Sequence, residues 1–482
     1  NVPTISRTIS HVKSNFIMTM WSPDLNAFSG PRYLAIVSAI AEDVERGNLK
    51  AGDQMPTHRD LASLLGVTTA TITRAYTEAA KRGLLVGETG RGTFVKPSLL
   101  HDSSRGRSSA EEENVVDFSL NLPPISPGDP LAKALTKTLT NLATRPGLSA
   151  MMTYQPTMGL ERHREAGAAW AARSGLRVDS EQVMICTGAL HAMTVVFSTI
   201  TKPGDSVFTE SLTYPGMKNL AHLLHLRLKG LPTDEEGIIP EAFEDACQNE
   251  TTRVLYTIPT IQNPLGTVMS EKRRRRIAAI AGAYNIAIVE DDVHSFMLSS
   301  PPPPLSSFAP ENSYYILSIS KSIAPGMRIA YLVGPERMVE PLATSLRATV
   351  WMTPPLMAEI AAEWIRDGTA DRLIEQKRSE ASARQLIASE ILDGFDFDAH
   401  PLSFHLWLHL PEPWRSNEFV SQLRRRGVLV TPAEAFVPGR EEPPHAVRVC
   451  IGAPRSRAQL EKGLGIIRTV LKESPDPYLS IV

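Results

Sequence analysis

Ser318-Ile319-Ser320-Lys321-Ser322-Ile323-Ala324-Pro325-Gly326-Met327-Arg328-Ile329-Ala330-Tyr331 sets one lysine between two serines, with Pro-Gly and an arginine behind it. The apolar run Tyr314 to Leu317 before it reads as a buried strand. Lys321 therefore stands just past a strand end, where open α/β sheets place ligand chemistry. A lysine there, beside hydroxyls and an arginine, suits an imine to an aldehyde cofactor and an anchor for that cofactor's phosphate. A lysine in a plain surface turn would look the same alone, so the weight falls on the other strand ends.

Working outward, short apolar runs alternate with helical patterns from Val115 on: Val183 to Cys186, Ser206 to Thr209, Val254 to Ile258, Ile286 to Val289, Tyr314 to Leu317. That alternation predicts a helix-covered, mainly parallel sheet. Past about residue 350 a long helix-prone region precedes Phe404–Leu410, Val428–Val430 and Val447–Ile451, which predicts a smaller α+β subdomain. Pro301 to Pro304 reads as a stiff surface loop, and Lys272 to Arg276 as a solvated or salt-bridged helix face.

Each strand end carries one group that a phosphorylated pyridine aldehyde would need. Thr187-Gly188-Ala189-Leu190 opens a helix, whose amides at Ala189 and Leu190 suit a phosphate. Tyr214 offers an aromatic face for stacking. Asn263 offers a donor for a ring oxygen. Glu290-Asp291-Asp292 offers a carboxylate for the pyridine nitrogen, and strand alternation forbids Asp291 and Asp292 from both pointing at one ring. Lys321 and Arg328 complete the set.

The N-terminal part is different. Tyr33, Ile36, Val37, Ile40 and Val44 repeat at helical spacing. A second, short helix follows Thr57 as cap, with Leu61, Leu64 and Leu65 as its expected buried face. Thr68 caps a third, with Ile72, Ala75, Tyr76 and Ala79 inward and Ala70, Thr73, Arg74, Thr77 and Lys81 outward. Two short strands, Leu84–Val86 and Thr93–Val95, flank Glu88-Thr89-Gly90-Arg91-Gly92. Three helices and a ribbon make a winged helix-turn-helix, in which the third helix enters the major groove. Thr69, Thr73 and Arg74 would face bases or phosphates. From Met55 to Pro97 six Lys/Arg stand against three Asp/Glu, a mild positive excess. A helical module that docks protein would share this pattern.

The whole chain of 482 residues has 42% hydrophobic and 21% charged residues and a net charge of -2, which excludes a polyelectrolyte and makes any nucleic-acid surface local. Cys186, Cys247 and Cys450 form no CxxC pair, so neither a disulfide framework nor a zinc site is expected. No apolar run approaches the ~18 residues of a membrane helix, and with no signal-peptide pattern the cytoplasm is expected.

Met55–Ala62, Leu65–Ile72, Arg74-Ala75-Tyr76 and Arg91–Val95 resemble the DNA-binding domain of GntR-type regulators. The resemblance implies DNA contacts from Arg59, Arg74, Arg91 and Gly92. Thr69 and Ala70 stand where that family often has an arginine. From about Val116 the ordered strand-end set resembles fold-type I aminotransferases dependent on pyridoxal 5'-phosphate. That likeness implies an internal aldimine at Lys321, with Asp291 on the pyridine nitrogen, Tyr214 on the ring and Asn263 on the ring oxygen. It also implies Ser318, Ser320, Arg328 and the Gly188-Ala189-Leu190 turn at the phosphate. Tyr154, in Tyr154–Leu160, would reach a dimer partner's site, and Arg448 would grip a carboxylate. Val293 replaces a usual tyrosine, and Leu190 and His191 stand where glutamines are often found.

The combined layout resembles the MocR subfamily of bacterial regulators. It implies a multidomain chain: a winged helix (30–96), a linker (97–114) and an aminotransferase-like α/β domain (115–482) with its α+β subdomain from about 350. It implies a homodimer, head-to-tail with swapped DNA-binding domains, on a double-stranded DNA operator. It implies sensing of a small amino compound by aldimine exchange at Lys321, without efficient catalysis but with an aminotransferase-type half-reaction open to it. A metabolic aminotransferase with an accessory DNA-binding module is the alternative, and a regulator that has lost the cofactor is a third reading.

Overall fold

The structure, a computed structural model, describes residues 21–23, 25, 28, 30–45, 48–49, 52–81, 84–88, 92–95, 115–439 and 441–473. Arg91 and the linker 97–114 lie outside the described residues. The chain divides into two compact units between residues 112 and 113.

In the first unit, α1 (Arg32–Glu45), α2 (His58–Leu65) and α3 (Thr69–Lys81) are followed by β1 (Leu85–Glu88) and β2 (Gly92–Val95), paired antiparallel. Thr57 caps α2 by accepting from the Asp60 amide, and Gly66 ends it in the left-handed region at φ 63°. Thr68 Oγ1 accepts from the Thr71 amide at the start of α3. Ile36, Ile40, Leu61, Ile72, Ala75 and Ala79 are fully buried in one core. Leu64 is the exception to the expected face, at 44% exposure. On so short a helix Leu61 and Ala62 already fill the inward side, and Leu64 turns outward.

The second unit contains β3 (Val116–Asp117), β4 (Val183–Cys186), β5 (Ser206–Glu210), β6 (Arg227–Leu231), a β7–β8 hairpin (Thr233–Asp234, Gly237–Ile238), β9 (Val254–Thr257), β10 (Ala287–Asp291), β11 (Ser313–Ser318) and β12 (Ala330–Val333). Seven of them form one sheet in the order β4-β12-β11-β10-β9-β5-β6, with β12 antiparallel to its neighbours and the rest parallel. β4, β5, β9, β10 and β11 therefore end on one edge, which is where the candidate residues follow them. β4, β9 and β11 are buried on both faces, as their unbroken apolar runs require, whereas the edge strand β6 is not.

Helices Pro355–Arg366 and Thr369–Ile391 lead to β13 (Phe397–Asp398), β14 (Leu406–His409), β15 (Val428–Leu429), β16 (Thr431–Pro432) and β17 (Ala446–Val449). A four-stranded sheet runs β13-β14-β17-β16, and β15 pairs in parallel with β3. The C-terminal lobe thus takes a strand from residues 116–117, which no local pattern announces. Phe118 joins Leu406, Val449 and Leu464 in that lobe's core, and a Cβ on Gly463 would come within 2.4 Å of its ring.

Two expectations change. Arg273, Arg275 and Arg276 do pair with Asp234, Glu271 and Glu241. Arg274 instead is fully buried, donates to the Met269 and Pro259 carbonyls and Thr260 Oγ1, and lies 3.7 Å from the buried Glu290. The Pro303 carbonyl also accepts from Arg274 and Pro304 is buried, so the proline run packs over this pair and is not a free surface loop.

Candidate functional site

β11 ends at Ser318, whose Oγ accepts from the Ser320 amide at 3.1 Å and donates to the Ile329 carbonyl at 3.3 Å. That caps a single helical turn, Ile319–Ser322, and points Lys321 off the sheet edge. The half-buried Lys321 donates its amine to the Asn121 carbonyl. Burial lowers its pKa to about 8, so a usable fraction is neutral and nucleophilic near physiological pH. Ser318 is thus engaged in holding the turn, whereas Ser320 Oγ is buried without a partner among the described residues.

Asp291 ends β10, the strand beside β11. Its Oδ2 accepts from Tyr256 at 2.8 Å, and its Oδ1 has no partner among the described residues. Burial raises this carboxyl to about 7, and the nearby Lys321 charge opposes that rise. Asp292 faces the other side, bonded to Tyr315, as strand alternation requires. Glu290 shares that side and accepts from the Leu305 and Ser306 amides. Glu210, at the end of β5, is also raised by burial and accepts from Thr257 and the Ile258 amide.

Gly188, at φ 87°, precedes the helix Ala189–Ile200. Arg328 Nη2 donates to the Thr187 carbonyl at 3.3 Å, and a Cβ on Gly188 would lie 2.4 Å from that nitrogen. Glycine at 188 is what lets a guanidinium settle on this helix N-terminus. Arg328 itself sits in the left-handed region at φ 51°. His191 Nδ1 takes the Thr187 amide and Nε2 meets Thr349, so His191 closes the turn. The Tyr214 ring folds over Gly216, where a Cβ would be 2.3 Å from it, and the charges of Asp291, Arg448 and Arg328 reach its hydroxyl.

Arg448, on β17, donates to Asn263 Oδ1 at 2.8 Å and to the Ser119 carbonyl at 2.7 Å, with its guanidinium 4.9 Å from the Phe436 ring centre. Lys321, Asp291, Asn263, Tyr214, Gly188, Ser320, Arg328 and Arg448 therefore gather on one sheet edge. Tyr154 does not join them: it is 81% exposed, its ring 5.6 Å from Trp351. Leu190, too, has an exposed side chain.

The residues fit pyridoxal 5'-phosphate. Among the described residues, Asp291 Oδ1 and Ser320 Oγ are buried polar atoms with no partner. A buried polar atom left unpaired costs about 1–3 kcal/mol. A bound group at this place would supply the missing partners.

In the first unit, Arg59, Thr69, Thr73 and Arg74 are exposed. Thr73 Oγ1 donates to the Thr69 carbonyl and meets His58 Nδ1 at 3.3 Å. The Arg74 guanidinium lies 4.0 Å from the Tyr33 ring centre, so the side chain is held on α1 instead of trailing in solvent. Gly92 has φ 117°, and a Cβ there would press on Gln54 at 2.9 Å.

Residues 113–467 match the family Aminotransferase class I and II, and residues 32–95 match Bacterial regulatory proteins, gntR family. The chain belongs to both families, in the MocR arrangement.

This MocR regulator is similar to the uncharacterized HTH-type transcriptional regulator YdeF of Bacillus subtilis (strain 168), at 30% identity covering 94% of this chain and 97% of that protein. It is also similar to the HTH-type pyridoxine biosynthesis transcriptional regulator PdxR of Corynebacterium glutamicum, at 28% identity covering 82% and 86%. Among solved structures, the α-aminoadipate aminotransferase LysN of Thermus thermophilus, complexed with N-(5'-phosphopyridoxyl)-L-leucine, matches with TM-score 0.66 and 24% identity, covering 76% of this chain and 95% of that one. At that identity the likeness concerns the fold. The chain is a transcription regulator with an aminotransferase-like domain. Among the described residues no helix is long and apolar enough to cross a membrane.

Sequence reasoning missed Tyr256, Asn121, His294 and His405. Tyr256 was legible: it lies opposite Val289, two residues from Asp291 and so on the same face. The other three carry no local signal, because separate segments bring them to Lys321.

Proposed function

We propose that this regulator binds operator DNA through its winged helix, holds pyridoxal 5'-phosphate in its second unit, and responds to an amino compound that competes with Lys321 for the cofactor's aldehyde. The observation that carries this reading is the pair Lys321 and Asp291: a half-buried amine with a lowered pKa and a buried carboxyl with an unpartnered oxygen, on neighbouring strand ends. The cofactor supplies an aldehyde for amines and an electron-withdrawing ring.

The chain's own residues would then divide the work. Asp291 Oδ1 accepts from the pyridine nitrogen while Tyr256 fixes its other oxygen. Tyr214 stacks on the ring, and Asn263 serves the ring oxygen. The phosphate rests on the Ala189 and Leu190 amides with Ser320 and Arg328, and Ser318 keeps the turn in shape. Arg448 exchanges the Ser119 carbonyl for the amino compound's carboxylate, a charge-assisted contact. Arg59, Thr69, Thr73, Arg74, Arg91 and Gly92 form the DNA face. A head-to-tail homodimer in the cytoplasm, two half-sites on the operator and Tyr154 directed at the partner's site complete the reading. The amine shifts DNA binding only as far as its affinities for the two arrangements differ.

The test is the absorbance of lysine-bound cofactor in the full-length protein. Wild type acquires the band with added pyridoxal 5'-phosphate, and Lys321→Ala does not. A band that persists in the variant refutes the assignment.

A further inference from the structure

We propose that the amino compound carries, beyond its amine and carboxylate, an uncharged hydrogen-bonding group, a carboxamide or hydroxyl, recognised by His294, His405 and Asn121. This rests on the reading above and narrows it to a class of effector.

The three residues come from separate segments: His294 follows β10, His405 precedes β14, and Asn121 lies between β3 and the helix Pro130–Ala143. They are 4%, 1% and 9% exposed. The Asn121 carbonyl accepts from the Lys321 amine, and the charges of Lys321 and Arg448 both reach the two imidazoles. The imidazole rings lie 6.3 Å apart, with Phe404 edge-on to His294.

Their open valences define what they accept. Burial, followed by the adjacent Lys321, pushes His294 down to about 3. The Ile261 backbone acts against this lowering, and neither ring nitrogen is within close hydrogen-bonding reach of a partner among the described residues. Burial and then Arg448 hold His405 well below its usual range. Both rings are neutral, and each neutral imidazole has one donor and one acceptor. His405 Nε2 faces the Gln262 carbonyl at 3.2 Å, which makes Nε2 the donor and leaves Nδ1 as an unpaired acceptor. Asn121 adds an unpaired amide nitrogen and oxygen.

The set therefore presents donors and acceptors together, next to two cations. An ammonium would be repelled by Lys321 and Arg448. A carboxylate, though drawn by the two cations, has no donor for the His405 Nδ1 lone pair and would face it acceptor to acceptor. An alkyl group would leave every atom unpaired. A carboxamide or hydroxyl donates and accepts at once, and matches the set.

The experiment titrates the bound-cofactor absorbance of the full-length protein with two isosteric series: asparagine, leucine and aspartate; glutamine, methionine and glutamate. In at least one series the carboxamide should act at a concentration about tenfold or more below its apolar and charged isosteres. His294→Phe and Asn121→Gly, both retaining the cofactor band, should shrink that preference. An apolar or charged isostere that matches the carboxamide in both series overturns the proposal, as does a preference undiminished in both variants. Failure of every amino acid to change the spectrum overturns the sensor reading as well, whereas a change without preference overturns this inference alone.

Discussion

At Asp291 burial opposes the charge that a pyridine nitrogen requires. Its carboxyl is raised from the usual 3.8 to about 7. Between those values the folded chain holds a proton that the unfolded chain has lost, so this residue's contribution to stability falls as pH rises from about 4 to 7. Without cofactor, wild type should lose a few degrees of melting temperature relative to Asp291→Asn between pH 5 and pH 8, measured by thermal unfolding. Added pyridoxal 5'-phosphate should erase the difference, because the ring nitrogen then pairs with the carboxylate. Parallel melting curves would contradict the assignment. In the first unit, Arg74 rests on Tyr33 and faces outward from α3. Arg74→Ala should weaken operator binding by about 1–3 kcal/mol if the side chain reads a base, measured at fixed salt by fluorescence anisotropy. Unchanged affinity would remove Arg74 from the DNA face.

The element that concentrates the chemistry is the turn from β4 into the helix Ala189–Ile200. Gly188 adopts a backbone that L side chains rarely adopt, and its missing Cβ makes room for Arg328. Gly188→Ala should destabilise the protein by about 1–3 kcal/mol and weaken cofactor binding, measured by thermal unfolding and by cofactor titration. Gly326→Ala is the control: a Cβ there meets nothing within 4 Å, so its effect on both should be small. Equal losses from the two variants would show that Gly188 matters only as a flexible residue. This turn was legible from Thr187-Gly188-Ala189 following an apolar run. The engagement of Ser318 was not, because its partner, the Ile329 carbonyl, lies on the far side of the Pro-Gly turn.

Across the whole molecule, each of the two units has its own buried core. Ligands of the second unit stabilise only what they bind. Pyridoxal 5'-phosphate should therefore raise the melting of the larger unit by several degrees and leave the winged-helix transition where it was, read by scanning calorimetry on the full-length protein. A ligand shift of equal size in both transitions would indicate that the units unfold as one.

Sequence periodicity alone determined the winged helix, the parallel sheet and the order of groups on its edge, because helix and strand faces repeat at 3.6 and 2 residues and apolar burial enforces those repeats. Tertiary structure alone decided which polar groups are left without partners. The sequence places Arg274 in a surface charge run on a helix, yet it is buried against Glu290 of β10. Val116 and Phe118 read as the start of a domain, yet they complete a lobe built more than 280 residues later, with β15 at Val428–Leu429. Asn121, His294 and His405 meet around Lys321 only because three distant segments converge there. Desolvation and pairing depend on neighbours in space, and no local pattern along the chain encodes those.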